Sequence, residues 1–363
     1  MPSIDPRAEN VIAHFIRAGY QRIEPPVLQP ASIFFDSGEE LRARLYLTSD
    51  LSGADYCLRP EYTIPVLSAY LRSSACGEQA AFSYYGPVFR FESGEPSEFY
   101  QAGIENFGRE DREAADAEIF ALALTAIASQ AQAPRLNVRI GDVGLFSSLL
   151  EALALPPEWR RRIVRGLSQG KPLDSIFNPG AAGTDHSGVL SVLEGTDRKA
   201  ARALVEDLLS IAGVAPAGGR TPAEIADRFL EQAALKAGSG FPTEKRAVIE
   251  QFLGIEGDPN EASSQLRALA GLVKLDLSPA LDRFDQRLTL IKGRGLTLEE
   301  LRFTVRFTRN LDYYTGFVFE AYERAAAMPV IGGGRYDGLL RALGAKTPIP
   351  AVGAAIWVSR LKP

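Results

Sequence analysis

Apolar side chains near the start of the chain recur at helical spacing, which predicts a helix over residues 6–18. The stripe consists of Val11, Ile12, Phe15 and Ile16. A second helix is predicted over residues 111–130, DREAADAEIFALALTAIASQ, and a third from Ile64 to about Leu71. Each apolar face must be covered by a neighbouring layer, so these helices are expected to flank a sheet or one another.

Strand patterns lie between these helices. The stretch LYLTSDLSGADYCLRPEYT predicts two strands joined by a turn at Ser52 and Gly53. Two aromatic segments, FSYYGPVFRFES and EFYQAGIENFG, are separated only by the short polar loop SGEPS. We expect them to pair as a hairpin. Strand character returns in RLNVRIGDV and again over residues 302–322.

The middle of the chain has a different character. It is rich in Ala, Leu, Arg and Glu, and TPAE at 221–224 has the capping-box pattern of a helix start. We therefore predict a core formed by residues 1–145 and 276–363, interrupted by a mainly helical insertion at 146–275.

Composition excludes several classes of function. The 363 residues include 46% hydrophobic and 23% charged residues, with a net charge of −5, so no broad basic face for nucleic acid is expected. Two cysteines and two histidines cannot build a disulfide framework or a zinc site based on several imidazoles. No leader and no long apolar run are present, so we expect a cytoplasmic protein without a membrane span or a metal.

Charged and other polar side chains occur in or next to the aromatic strand segments, where burial is costly unless a partner or ligand faces them. They are Glu61, Arg90, Gln101, Glu105, Arg309, Tyr313 and Tyr314. A free amino acid requires carboxylates for its ammonium group and arginine for its carboxylate. Inter-strand salt bridges on a half-exposed sheet are the alternative. The mixed signs of the set favour an amino-acid pocket.

The glycine run GGGRYDG at 332–338 suggests a phosphate loop, but it matches neither common template. It lacks the lysine of the P-loop and does not open a βαβ unit in the dinucleotide pattern. We interpret it as a glycine turn between a strand and a helix.

Six blocks now identify a resemblance: LRPEYT, GPVFRFE, EFYQAGIE, LDYYTG, GGGRYDGL and AVGAAI followed by SRL. They occur in the order found in histidyl-tRNA synthetases, and the resemblance covers residues 8–362. It implies an α+β fold of the class II aminoacyl-tRNA synthetase type, in which helices flank an antiparallel six-stranded sheet. It also implies a homodimer built partly around the segment that ends at Pro25 and Pro26.

The resemblance also implies a histidine pocket. Its residues would be Glu61, Thr63, Arg90, Gln101, Glu105, Arg309, Tyr313 and Tyr314. Within that set, Glu61, Thr63 and Gln101 would hold the α-amino group.

The remaining members would contact the other two groups of histidine. Glu105 and Tyr314 would contact the imidazole, with Tyr313 close by. Arg309 would face the carboxylate, and Arg90 would contact both that carboxylate and the α-phosphate of ATP in a synthetase.

Departures from the synthetase pattern point away from catalysis. The loop SGEPS is shorter than the family's basic loop, and Glu95 and Glu98 lie in this stretch. Trp357 stands where the family has a glycine beside the nucleotide, although Arg360 is retained. An indole there would fill the volume that a nucleotide needs, unless the backbone shifts and the ring packs elsewhere. The chain also ends three residues after Arg360, without the family's anticodon-binding domain.

These losses resemble the regulatory subunits of ATP phosphoribosyltransferase. That resemblance implies a protein with no catalytic residues and no cofactor that binds free histidine. Its partner would be the short-form catalytic subunit, within a hetero-oligomer that contains the homodimer. It would mediate activation and feedback inhibition of the first step of histidine biosynthesis. The alternatives are a truncated enzyme that forms histidyl-adenylate without charging tRNA, and a scaffold with a relic pocket.

Overall fold

The computed structural model describes residues 5–34, 39–91, 94, 96–128, 135–178, 203, 207, 241–306, 313–324 and 326–361. The described strands are β1 (Gln21–Arg22), β2 (Leu28–Pro30), β3 (Leu47–Ser49), β4 (Asp55–Leu58), β5 (Ala80–Phe89), β6 (Glu98–Phe107), β7 (Leu136–Asp142), β8 (Leu301–Phe303), β9 (Phe317–Glu323), β10 (Ile331–Arg335) and β11 (Ala351–Trp357). The described helices are α1 (Pro6–Arg17), α2 (Glu39–Arg42), α3 (Thr63–Arg72), α4 (Arg112–Ala128), α5 (Val143–Ala152), α6 (Pro157–Ser168), α7 (Leu173–Phe177), α8 (Thr243–Leu253), α9 (Pro259–Leu272), α10 (Ser278–Gly293) and α11 (Asp337–Ala342). The predicted capping box at 221–224 lies outside these residues.

The main sheet has the strand order β1-β5-β6-β11-β10-β9-β7-β8. The six central strands, β5 to β7 in that order, pair antiparallel throughout, as the resemblance implied. Two short strands, β1 and β8, add parallel pairs at the two edges, so the complete sheet is mixed. A separate sheet of order β2-β4-β3 contains the two strands predicted around Ser52 and Gly53.

The predicted hairpin is confirmed and forms the longest pairing in the sheet. β5 and β6 pair over ten residues, from Ala80 opposite Phe107 to Phe89 opposite Glu98. Because side chains alternate between the faces of a strand, the odd-numbered residues of β6 from Gln101 to Glu105 share one face. This register brings the polar residues of the candidate pocket to a single side of the sheet.

The interpretation of 332–334 as a glycine turn is wrong. Gly332, Gly333 and Gly334 lie inside strand β10, which pairs with β9 on one side and β11 on the other. The physical reason is close approach by neighbouring atoms. A Cβ on Gly333 would lie 2.6 Å from the ring of Phe319, and one on Gly334 would lie 3.0 Å from the ring of Tyr314. Glycine is therefore required at Gly333 and Gly334 because the aromatic rings of Phe319 and Tyr314 pack closely against the strand.

Helix α4 packs on the face of the sheet that lies away from the candidate pocket, and a buried ionic network anchors it there. Asp116 of α4, which is completely buried, accepts hydrogen bonds from Arg287 of α10 at 2.8 Å and from Arg335 of β10 at 2.8 Å. Arg287 also donates to Asp142 at the end of β7 over 2.6 Å. The predicted helix at 111–130 is thus confirmed. The carboxylate of Asp116 connects it to α10 and β10, and Arg287 extends the network to the end of β7.

The chain divides into two compact units. The larger consists of Met1–Leu149, Phe252–Phe307 and Tyr313–Pro363, and the smaller of Leu150–Gln251 and Thr308–Asp312. Within the smaller unit, Phe241 packs against Trp159 and Phe177 with ring centroids 4.8 and 4.5 Å apart.

Part of the predicted insertion belongs to the larger unit. Helix α9, at Pro259–Leu272, lies inside the predicted range 146–275 but after Phe252, where the chain rejoins the larger unit. Among the described helices, none is long and apolar enough to cross a membrane.

Candidate ligand-binding site

Glu105 of β6 is the most deeply buried acid of the candidate site, with 1% of its surface exposed. Its carboxylate accepts hydrogen bonds from the hydroxyl groups of Thr63 (2.8 Å), Tyr84 (3.4 Å) and Tyr336. Burial raises the pKa of Glu105 from 4.5 to about 8. The nearby negative charge of Glu61 adds to this rise, whereas the three hydroxyl donors oppose it. The site therefore contains a carboxyl group whose raised pKa keeps it protonated at neutral pH even beside these donors.

Glycines on the neighbouring strands make room for this carboxyl group. A Cβ on Gly353 of β11, which lies directly opposite Glu105 in the strand register, would overlap the Glu105 carboxylate. A Cβ on Gly103 would overlap the ring of Tyr84, and one on Gly334 would crowd Tyr314. The side chains of the site therefore lie directly on a glycine-lined part of the sheet.

Glu61 supports the site from the start of helix α3. Its carboxylate accepts hydrogen bonds from the backbone N–H groups of Thr63 (2.6 Å) and Ile64 (2.9 Å), which are otherwise without partners at a helix N-terminus. Burial raises the pKa of Glu61, and these two bonds and the positive charge of Arg90 oppose the rise. Glu61 thus holds Thr63 in place, and the Thr63 hydroxyl in turn meets Glu105.

Two consecutive tyrosines form an aromatic wall. The rings of Tyr313 and Tyr314 lie 4.4 Å apart, and the hydroxyl of Tyr313 donates to that of Tyr314 over 3.1 Å. Tyr313 also meets Tyr336 edge to face, with ring centroids 6.0 Å apart. Burial raises the pKa of both Tyr313 and Tyr314, so both hydroxyls remain neutral donors. Through Tyr336 the wall is connected to Glu105.

Gln101 and Arg90 belong to the β5–β6 hairpin. Gln101 is 2% exposed and lies on the same face of β6 as Glu105, four residues away. Arg90 directly follows β5, where its guanidinium lies 4.9 Å from the ring centre of Phe99, and its backbone N–H donates to Ser97 over 2.9 Å. The hairpin thus carries an amide on the same face as Glu105 and a cation whose charge acts on Glu61.

The structure brings together most of the predicted site residues. Thr63 contacts both Glu61 and Glu105 directly. Tyr336 connects Glu105 to the pair Tyr313 and Tyr314. Arg309 lies outside the described residues.

Two members of the site were not predicted from the sequence. These are Tyr84 and Tyr336, which donate hydrogen bonds to Glu105. The sequence contains a signal for Tyr336, which lies within the block GGGRYDGL, but that signal is lost when the block is interpreted as a turn.

Trp357 lies on the same face of the sheet as Glu105. It is opposite Gln101 in the pairing of β11 with β6, and its ring atoms would lie 3.3 Å from a Cβ on Gly332. The side chain is 9% exposed, and the guanidinium of Arg360 lies 4.9 Å from the indole centre. Arg360 also donates to the carbonyl of Pro329 over 2.9 Å. The alternative that the indole packs away from this face is therefore wrong.

Metal coordination is not indicated by the described part of the chain. It contains no group of three or more His, Cys, Asp or Glu side chains that could hold a metal ion.

Comparison with known proteins identifies the family. A family model described as Histidyl-tRNA synthetase matches residues 4–217 and 200–361. The chain is 36% identical over 374 residues to an ATP phosphoribosyltransferase regulatory subunit of Sinorhizobium medicae, with 100% of this chain and 98% of that protein covered. It is 38% identical over 349 residues to the subunit of the same name from Brucella canis, with 94% and 92% covered. The chain belongs to the family of ATP phosphoribosyltransferase regulatory subunits.

Solved structures agree on the fold of this family. One is titled an ATP phosphoribosyltransferase regulatory subunit/histidyl-tRNA synthetase from Bacillus halodurans, with a TM-score of 0.68 and 21% identity over 97% of this chain and 76% of that one. A histidyl-tRNA synthetase from Nostoc sp. PCC 7120 gives a TM-score of 0.62 and 18% identity, with 98% and 69% covered. The α+β fold of the class II synthetase type, predicted from the motif blocks, is confirmed.

Proposed function

We propose that this chain is the non-catalytic regulatory subunit of an ATP phosphoribosyltransferase and that free histidine binds in the pocket around Glu105. In this proposal it activates the short-form catalytic subunit and transmits feedback inhibition to it in the first step of histidine biosynthesis. The observation that carries the proposal is the buried carboxyl group of Glu105, enclosed by hydroxyl groups and lying on glycines of the sheet. The same proposal includes the assembly and the compartment. The chain would form a homodimer within a hetero-oligomer with the catalytic subunit, in the cytoplasm.

The chemical groups of histidine match those of the site. The imidazole N–H groups are donors, and Glu105 and Tyr314 supply a carboxyl group and a hydroxyl group that can accept from them. Glu61 and Gln101, with Thr63 beside them, offer oxygen atoms to the α-ammonium group. Such charge-assisted hydrogen bonds are stronger than neutral ones, so a zwitterionic amino acid gains more than a neutral ligand of the same size.

The carboxylate of histidine would face arginine. Arg90 lies at the end of the hairpin that contains Gln101. Arg309 is proposed as a second partner on the strength of its motif. An arginine suits this position because its planar guanidinium matches a carboxylate with two parallel hydrogen bonds.

Catalysis is disfavoured by the surroundings of Trp357. Its indole covers Gly332, and Arg360, the retained arginine of the final motif, is stacked on that indole. A nucleotide at this position would have to displace both side chains from a packed arrangement. The second candidate, a truncated enzyme that forms histidyl-adenylate, is favoured by the presence of Arg90 and Arg360. It requires a nucleotide site that the indole now fills.

Regulation in this proposal is a linkage effect. Histidine shifts the complex only as far as it binds one state of the assembly more tightly than the other. By the same linkage, the catalytic subunit must alter the affinity of this chain for histidine by an equal factor. The pocket and the contact surface for the catalytic subunit therefore need not coincide.

Two titrations test the proposal. Histidine and ATP are titrated separately into the purified chain by calorimetry, and histidine-dependent pyrophosphate exchange is assayed in parallel. Saturable binding of histidine, no binding of ATP and no exchange are expected. Exchange above background would favour the adenylate-forming enzyme, and absence of histidine binding both alone and in the complex would refute the effector site.

A variant connects the pocket to regulation. Glu105→Gln should abolish inhibition of the reconstituted complex by histidine while activation of the catalytic subunit is retained. Glu110→Gln is the matched control, because Glu110 is an exposed acid just beyond the same strand. Inhibition that persists unchanged in Glu105→Gln would mean that the effector binds elsewhere.

A further inference from the structure

On neighbouring strands of the pocket face, the amide oxygen Oε1 of Gln101 and the indole nitrogen Nε1 of Trp357 are buried without a hydrogen-bond partner among the described residues. The hydroxyl of Tyr62, which lies over Gly86 opposite Gln101, is a further atom of this kind. Gln101 is 2% exposed and Trp357 is 9% exposed, so neither side chain is largely open to solvent. Buried polar groups in native proteins are normally paired, so an acceptor and a donor left together in this way point to a ligand.

These two residues are direct neighbours across strands. Gln101 of β6 lies opposite Trp357 of β11, just as Glu105 lies opposite Gly353 four residues further along β6. The benzene edge of the indole, atoms Cζ3 and Cη2, lies over Gly332 of β10. Nε1 belongs to the other ring of the indole, and it has no hydrogen-bond partner among the described residues.

The spacing along β6 suits one amino acid. Four residues of a strand span about 13 Å between Cα atoms. Glu105 and Gln101 stand at the two ends of this span, and the ring of Tyr84 covers Gly103 between them. An amino acid that contacts both residues would therefore lie over Tyr84, with its side chain at Glu105 and its backbone groups at Gln101.

We propose that Trp357 is an effector-binding residue, whose indole N–H donates a hydrogen bond to the carboxylate of the amino acid bound at Glu105, while Oε1 of Gln101 accepts from the ammonium group of the same molecule. This inference rests on the proposed function. It adds a residue outside the predicted pocket and gives the indole a second role besides excluding a nucleotide. A phenylalanine would keep an aromatic ring at this position, but only tryptophan adds a hydrogen-bond donor.

The test compares two ligands that differ at the carboxylate. Histidine and histidinol, in which a hydroxymethyl group replaces the carboxylate, are titrated by calorimetry into the wild type, Trp357→Phe and the control Trp159→Phe. Trp159 lies in the smaller unit and is the only other tryptophan of the chain. In Trp357→Phe the Kd for histidine should rise about 10- to 100-fold, the range expected for one hydrogen bond to a charged group. The Kd for histidinol should change less than about threefold, since this ligand has no carboxylate for the lost donor.

Two outcomes would overturn the inference. An equal loss of affinity for both ligands would mean that the indole matters only for packing, and no loss for either would mean that it does not touch the ligand. Binding of histidine to the wild type distinguishes both from failure of the proposed function, in which histidine would bind to none of the proteins.

A second measurement does not depend on the folding of Trp357→Phe. In Trp159→Phe, Trp357 is the only fluorophore of its type, and its emission should change in proportion to the saturation measured by calorimetry. Emission that stays constant through full saturation would also overturn the inference.

Discussion

The proton on Glu105 makes a prediction about stability that needs no ligand. Replacement of Glu105 by Gln keeps the size of the side chain but removes its titration. The hydroxyl groups of Thr63 and Tyr336 can accept as well as donate, so they can adapt to an amide that presents both a donor and an acceptor. The variant should therefore fold, and its stability should respond differently to pH.

The sign follows from the two pKa values. Glu105 has a pKa of about 8 in the folded protein, against 4.5 for an unperturbed glutamate. Between these values the folded state holds a proton that the unfolded state has lost, so the free energy of unfolding falls as pH rises. The slope from one such group is about 1.4 kcal/mol per pH unit. Because the slope weakens near each pKa, the wild type should lose about 3.5 kcal/mol relative to Glu105→Gln from pH 5 to pH 8.

Urea denaturation followed by circular dichroism, without histidine, measures this difference at each pH. The wild type and Glu110→Gln should show parallel dependence on pH, because Glu110 is exposed. Only Glu105→Gln should become progressively more stable relative to the wild type as pH rises. A stability difference between wild type and Glu105→Gln that is constant to within about 0.5 kcal/mol from pH 5 to 8 would refute the argument that burial keeps this carboxyl group protonated.

Two further predictions concern packing. Gly353→Ala should abolish histidine binding and destabilise the larger unit, because the added methyl would overlap the Glu105 carboxylate. Gly271→Ala in helix α9 is the control, since a methyl group added there meets no atom within 4 Å. This control should be neutral or stabilise the protein by up to about 1 kcal/mol. Normal histidine affinity in Gly353→Ala, measured by calorimetry, would contradict the proposed pocket. Asp116→Asn should lower the free energy of unfolding by about 3–5 kcal/mol, because two buried arginines lose their shared charged partner. Asp282→Asn breaks an exposed ion pair and should lower it by less than about 1 kcal/mol. Equal urea midpoints for the two aspartate variants would contradict this account of the network.

Much of the fold could be predicted from local patterns. Periodicity predicted α1, α3, α4 and the β5–β6 hairpin within a few residues of their observed bounds. The family resemblance carried by the motif blocks implied the central antiparallel sheet of six strands, which is observed.

Other features depended on partners distant in sequence. The glycine run looks like a turn until β9 and β11 are placed on either side of it, and only then does the need for small residues become clear. Tyr336 gains its role because the end of β10 comes close to Glu105 of β6, a separation of 231 residues along the chain. Glu61 was expected to face a ligand, and the structure shows that it also caps helix α3.

Trp357 separates most clearly what the sequence determines from what the tertiary structure determines. The sequence by itself determined that an indole replaces a glycine of the synthetase pattern, and that this would oppose nucleotide binding. Only the tertiary structure decided that the ring lies over Gly332 and beside Gln101, with its N–H unpaired among the described residues. The physical reason is that alternation along a strand determines which face a side chain takes, whereas the register between strands determines which atoms it meets there.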